Sequence, residues 1–366
     1  MENDKMKDIR IKRVLVIRFR QIGDAVLSTV ICNTLRKNYP KAIIDLVLNQ
    51  HIAPLFYNHP SIDNIFTFSE KEKHSAFTYL RKVYNIVHQN HYDVIIDMRS
   101  TMNTLPFSLF SPFTMFRIGI RKPYTRLVFN HTVNCKTLQG NKVEHLLQLL
   151  KPLEAIKQLQ YVHRFTLYVT DDERKKFKAY MKEHGIDFSK PIALIGVTAK
   201  LSNKRWDEDK MAYTLKLLIE NNHDLQLIFN YAPGQEKINA KRIFKKLNCN
   251  KHIFFDIQAY SLRELAAMAQ LITVYFGNEG GTRHIVHAMG KPSFVVCSPL
   301  ADKHLWLPQN ETPALGVGVS DFLTAEQREI MSPQQQYEAI TVDKVWDGLQ
   351  KLIKQTVSDY LSVPTD

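Results

Sequence analysis

Long apolar runs are missing from this 366-residue sequence: none reaches the roughly 18 residues that a membrane-crossing helix needs. The opening stretch MENDKMKDIR is charged from the start and lacks the apolar core of a signal peptide, which sets the expectation of a cytosolic protein. Cysteine is scarce. The four that occur, Cys32, Cys135, Cys249 and Cys297, lie far apart with no C-x-x-C pair, which argues against a zinc site and for reduced thiols. Glycine is thin where a dinucleotide fingerprint would need it. The loop Arg18–Asp24, after the first apolar run, holds a single glycine, so G-x-G-x-x-G is absent and NAD chemistry is disfavoured. Acid is missing from a whole segment. From Met98 to Val143 there is no Asp or Glu, while Arg99, Arg117, Arg121, Lys122, Arg126, Lys136 and Lys142 all fall there. The net charge of +13 is therefore unevenly spread. Such a segment is either a solvated basic face or a groove for an anionic partner: a phosphorylated substrate, an acidic membrane surface or nucleic acid.

What is present is globular: 45% hydrophobic and 23% charged residues, in a chain long enough for two domains. Short β-branched runs at 13–19, 43–48, 64–68, 92–98 and 116–120 read as buried strands. Helices are expected at 22–37 and 74–90, and 143–185 is helical in pattern. After a linker around 184–187 the alternation restarts. Strands are expected at 192–197, 225–229, 252–255, 271–276 and 293–297, with helices at 207–220, 234–247, 282–289 and 342–355. Ser261 with Glu264 three residues on reads as a capping box. Strands alternating with helices imply parallel sheets covered on both faces. Two α/β units follow, 1–187 and 188–366, with the C-terminal helix free to pack back on the first.

In doubly wound sheets, ligands bind beyond the carboxyl ends of the strands, so the loops there carry the weight. The first holds Asp24, either an acid favoured by a helix dipole or a general base. The second, TAKLSNKRW at 198–206, offers Thr198, Ser202, Lys204 and Arg205 where an anion would sit. The third is the most specific. A buried strand runs into Gly277-Asn278-Glu279-Gly280-Gly281, then a helix carrying His284 and His287, then Gly290-Lys291-Pro292 and another strand. Paired glycines ahead of a helix let backbone N–H groups approach a phosphate. The string Asp207-Glu208-Asp209 reads as capping acids at a helix start, with no metal site.

Together these loops resemble the ADP-heptose:lipopolysaccharide heptosyltransferases, glycosyltransferase family 9. The opening V-L-V-I-R-x-x-x-I-G-D24-x-V-L is similar to that family's first strand and loop. Lys204-Arg205-Trp206 is similar to its K-x-W motif. The run from Glu279 to Pro292 is similar to D-x-G-x-x-H-x-x-A-A-x-G-x-P. The departure is Glu279 where Asp is usual, followed by Gly280 where Ser or Thr is common. The resemblance implies the GT-B architecture, two Rossmann-like domains facing across a cleft, and no cofactor or metal. It implies Asp24 as the base that deprotonates the acceptor hydroxyl, and Lys204 at the donor diphosphate with Thr198 nearby. Glu279, Gly280, Gly281 and His284 would hold the sugar nucleotide, Gln235 the ribose and Tyr260 the base.

The expected function is thus inverting, metal-independent transfer of a heptose or related sugar, from a nucleoside diphosphate that the resemblance makes ADP, to a lipopolysaccharide-core or related acceptor. Arg20, Arg99, Arg121 and Lys122 are the candidate contacts for that anionic, lipid-linked acceptor, at a peripheral position on the inner membrane. Alternatives are a nucleotide-sugar epimerase, or another GT-B transferase with a different donor. A nucleic-acid partner is not expected, because no module for one is found.

Overall fold

Six short strands in each half of the chain form two all-parallel sheets in the computed structural model, which describes residues 10–135, 140–308 and 310–362. The first sheet comprises β1 (Arg13–Ile17), β2 (Ile43–Asn49), β3 (Asn64–Phe68), β4 (Val94–Asp97), β5 (Phe116–Ile120) and β6 (His131–Val133), in the order β3-β2-β1-β4-β5-β6. The second comprises β7 (Ile192–Gly196), β8 (Gln226–Phe229), β9 (Ile253–Phe254), β10 (Val274–Asn278), β11 (Ser293–Val296) and β12 (Ala314–Val317), in the order β12-β11-β10-β7-β8-β9. Counted from its own first strand, each sheet has the doubly wound 3-2-1-4-5-6 order. The expected α/β class is met. The order reverses between β1 and β4 in one sheet and between β7 and β10 in the other. In doubly wound sheets ligands bind beyond the loops after such strands.

Both units bury their strands on two faces. In the first, Leu15, Ile17, Val47 and Ile95 pack with Val83 and Phe107 from covering helices. In the second, Ile195, Phe229 and Phe276 pack with Leu215 and Leu218, and with Val345, Leu349, Leu352 and Ile353 of the C-terminal helix Val342–Ser362. Each such fully buried side chain contributes about 1.5–3 kcal/mol, so the last helix is part of the second core.

Several elements differ from the sequence reading. The helix expected at 22–37 is two, Ile22–Leu27 and Thr29–Asn38. The hydroxyls of Ser28 and Thr29 donate back to the carbonyls of Ala25 and Val26, at 2.5 and 2.9 Å, and loosen the turn between them. The segment 143–185 is helical only at its ends, in Lys142–Ala155 (its second half 3₁₀) and Asp171–Glu183. The chain divides between Tyr168 and Val169, not after Asp187. The reason is helix Asp171–Glu183, whose Glu173 takes Arg263 in a two-pronged ion pair on helix Leu262–Leu271. No helix among the described residues is long and apolar enough to cross a membrane.

Candidate functional site

In the first unit, Asp24 sits in the opening turn of helix Ile22–Leu27, just past β1. Its carboxylate is held from both sides. Arg18 Nη2 donates to Oδ1 at 2.6 Å, and Arg20 Nε lies 3.5 Å from Oδ2. Arg18 is buried, and its Nη1 also donates to the Met98 carbonyl at 2.8 Å, which ties the β1 loop to the β4 loop across the switch point. Burial pulls the Arg18 guanidinium below its ordinary value, with Asp24 opposing that shift. Burial likewise lowers Lys142, followed by the charge of Arg18, while Asp24 again opposes it. The carboxylate is thus the anion of a cationic pocket.

The β4 loop is shaped by Asp97, fully buried, whose Oδ1 accepts from the Arg99 and Ser100 amides at 2.9 and 2.7 Å. Burial raises the pKa of this carboxyl. Arg99 in turn donates to the Phe19 carbonyl at 2.7 Å, and Lys122 Nζ to the Arg99 and Ser100 carbonyls. Of the expected acceptor residues, Arg20, Arg99 and Lys122 are therefore joined to the Asp24 loop. Arg121 is not. Its guanidinium donates to Thr132 and lines a polar cavity of about 340 Å³ with Arg126 and Asn130. Lys136 lies outside the described residues.

In the second unit the loop after β7 folds onto the end of β10. Trp206 is buried, and its amide donates to Asn278 Oδ1 at 2.7 Å, while Asn278 Nδ2 donates to the Gly196 carbonyl at 2.9 Å. One asparagine thus clamps the two switch-point loops. The clamp brings Lys204 Nζ to 2.9 Å from Glu279 Oε1. The far oxygen, Oε2, accepts from Ser298 Oγ at 3.0 Å and from its amide at 3.4 Å.

Next comes helix Gly281–Ala288, whose N-cap residue Gly280 has no side chain to cap the first N–H groups. A Cβ at Gly280 would meet nothing within 4 Å, so there is room beside this residue. Gly277 is different. The glycine turn expected over 277–281 is shorter, because Gly277 is a residue of β10. Its φ is +152°, and a Cβ there would lie 2.4 Å from the Gly196 carbonyl oxygen of β7. Gly277 serves strand packing, whereas Gly280 has room beside it.

His284 is buried. Burial, then the charge of Arg283, holds its imidazole well below the ordinary histidine range, so it is neutral at neutral pH. Arg283 Nη2 lies 3.1 Å from His284 Nε2 and must donate, which leaves the proton on Nδ1. Thr198 and Gln235 meet through Asn239, which donates to Thr198 Oγ1 at 3.4 Å and accepts from Gln235 Nε2 at 2.9 Å. Tyr260 stands apart, 82% exposed, on the rim of a mostly apolar cavity of about 470 Å³ with Phe177, Tyr180 and Gln258. Asp207 caps its helix as expected, accepting from the Asp209 and Lys210 amides, while Glu208 and Asp209 pair with Arg242 and Lys246. The sequence reading assigned no role to Arg18, Asn278, Arg283 or Ser298. Arg18 stood inside the first motif without a role; Ser298 carried no signal.

A cation, an uncapped helix end and open space suit a diphosphate; a carboxylate among arginines suits proton abstraction near an anion. The family model for glycosyltransferase family 9 (heptosyltransferase) matches residues 80–302. Lipopolysaccharide heptosyltransferase 1 of Campylobacter coli is 21% identical over 288 residues, 78% of this chain and 83% of that protein. A glycosyltransferase family 9 structure from Veillonella parvula superposes with a TM-score of 0.80 at 15% identity, covering 95% of this chain and 99% of that one. The Escherichia coli heptosyltransferase WaaC, solved with ADP-2-deoxy-2-fluoro heptose, gives 0.66 at 14% identity, over 93% and 99%.

Proposed function

This chain belongs to glycosyltransferase family 9, and on that premise we propose that it moves a heptose from an ADP-linked donor onto a lipopolysaccharide-core acceptor, with inversion and without a metal ion. The observation that carries the reading is Lys204, held 2.9 Å from Glu279 beside the uncapped start of helix Gly281–Ala288. As the glycosidic bond to the donor breaks, the anomeric carbon becomes oxocarbenium-like and negative charge gathers on the departing diphosphate. Lys204 and the helix N-terminus stabilise that charge, each such contact contributing about 3–4 kcal/mol in the transition state. Glu279 keeps Lys204 in place until the diphosphate competes for it, and its carboxylate remains to accept from sugar hydroxyls. Thr198, Gln235 and the Asn239 amide between them form the ribose side. Tyr260 stands at the base. Neutral His284 supports the helix that carries the phosphate contacts.

On the first unit Asp24 accepts the proton of the acceptor hydroxyl, and Arg18 fixes which of its oxygens is free to do so. Arg20, Arg99 and Lys122 neutralise phosphates on the acceptor. The enzyme works as a peripheral protein on the cytoplasmic side of the inner membrane, and needs no cofactor besides the sugar nucleotide. Thermal stabilisation by a panel of nucleoside diphosphates tests the donor. ADP is expected to raise Tm more than UDP or GDP; a larger effect of UDP or GDP overturns the ADP assignment. Release of ADP from ADP-heptose only when the acceptor is present tests the transfer.

A further inference from the structure

Phe113 and Leu127 are the two most exposed large apolar side chains among the described residues, at 99% and 95%. Both lie in the segment without Asp or Glu, and one guanidinium holds both of their loops. Arg117 donates through Nη1 to the carbonyls of Pro112 and Thr114, on either side of Phe113. Through Nε it donates to the Val128 carbonyl at 3.1 Å, next to Leu127. Val128 and Phe129 pack in turn on Leu105, at the start of the short helix Leu105–Leu109, whose last residue, Leu109, is half-exposed. The two apolar tips are therefore presented together on tied loops. Arg126 adjoins Leu127 in sequence and shares the neighbouring polar cavity with Arg121.

We infer that this corner of the first unit docks on an anionic lipid bilayer, with Phe113 and Leu127 entering the boundary between headgroups and acyl chains while Arg121 and Arg126 meet lipid phosphates. The charge selects the occupant. Basic residues around exposed apolar tips match a surface of phosphates over hydrocarbon, and cations near such a surface each add to binding. A second copy of the chain, meeting this corner through a two-fold axis, would set the same arginines against each other. The inference deepens the proposed function, resting on its lipid-linked acceptor for its purpose, since docking here keeps the enzyme at the surface where that acceptor lies.

Sedimentation of the full chain with vesicles tests it, using phosphatidylcholine alone and phosphatidylcholine mixed with phosphatidylglycerol. The expected result is binding to the mixed vesicles that weakens with salt. The Phe113→Ser/Leu127→Ser double variant, with an unchanged melting curve, should lose at least about tenfold in affinity. Phe113→Trp should add a blue-shifted emission over the three native tryptophans on mixed vesicles only. A parent chain that stays in the supernatant, or a double variant that binds as the parent does, overturns the inference. So does a concentration-dependent dimer that the double variant abolishes, because the corner would then belong to a second copy. Turnover on a soluble, deacylated acceptor should be unchanged in the double variant. A parent that binds mixed vesicles through these two residues yet transfers no sugar would sink the proposed function and leave this surface standing.

Discussion

Ser298 fixes one oxygen of Glu279 and Lys204 takes the other, so a serine just past β11 sets where a lysine from the β7 loop can rest. Removing the charge from Glu279 releases Lys204 for an incoming anion. Glu279→Gln should therefore bind ADP severalfold more tightly than the parent, read by calorimetry. Lys204→Met should bind it at least about tenfold more weakly and lose about 100- to 1,000-fold in turnover. Stability should shift by no more than about 1 kcal/mol in either variant, because Lys204 is more than a third exposed and such pairs are screened. An unaltered ADP affinity in both would remove this pair from the donor site.

Asp24 faces a different test. Asp24→Asn keeps the shape of the side chain and its bond from Arg18, but cannot take a proton. Turnover should fall by at least about 100-fold while the Kd for ADP stays the same. Near-parental turnover would show that another group is the base.

Two glycines near the proposed donor site should behave oppositely. Gly277→Ala puts a Cβ against the Gly196 carbonyl at a left-handed φ, and should cost about 2–4 kcal/mol in a denaturant melt. Gly280→Ala meets no neighbour, and its φ of −178° is extended backbone open to any residue. It should melt within about 1 kcal/mol of the parent and instead weaken ADP binding, since the methyl group enters the space proposed for the phosphates. Loss of stability at Gly280 with ADP binding intact would contradict this.

Acid should loosen the first unit through His59. Its Nδ1 accepts from the Ser61 amide, and its Nε2 contacts the Thr166 carbonyl, a neutral tautomer held in a buried site. Burial lowers its pKa from 6.5 to about 4, with the Thr166 contact opposing. The unfolded chain therefore takes up a proton first. The stability His59 contributes is complete above about pH 6.5 and falls as pH drops towards 4, by at most about 3 kcal/mol. His284, held neutral by burial, acts in the same direction. His59→Gln should flatten the fall in Tm between pH 6.5 and 4; an equally steep fall would discount the residue.

The strands that flank the switch points were legible because parallel strands buried on two faces need continuous apolar runs, as in RVLVI and IALIG. The edge strands β6 and β12 were not, since HTV and ALGV are three and four residues with no run to detect. The Asp24, Lys204 and Glu279 loops could be found from motif order. The partners Asn278 and Ser298 could not, because they act through contacts made only once separate strands are paired. Arg18 stood in the motif, but its bond to Asp24 depends on how the loop turns. Gly277 misled for a related reason: a glycine ahead of a helix looks the same whether it admits a phosphate or a neighbouring strand.

The place of helix Asp171–Glu183 decides how the second unit can be produced by itself. A fragment cut at the sequence linker, from residue 188, would strip Arg263 of its carboxylate partner and uncover the flank of helix Leu262–Leu271. A gene that starts at Val169 and keeps the last helix through Ser362 retains every layer of that core. It is the piece to label for nucleotide titrations by NMR.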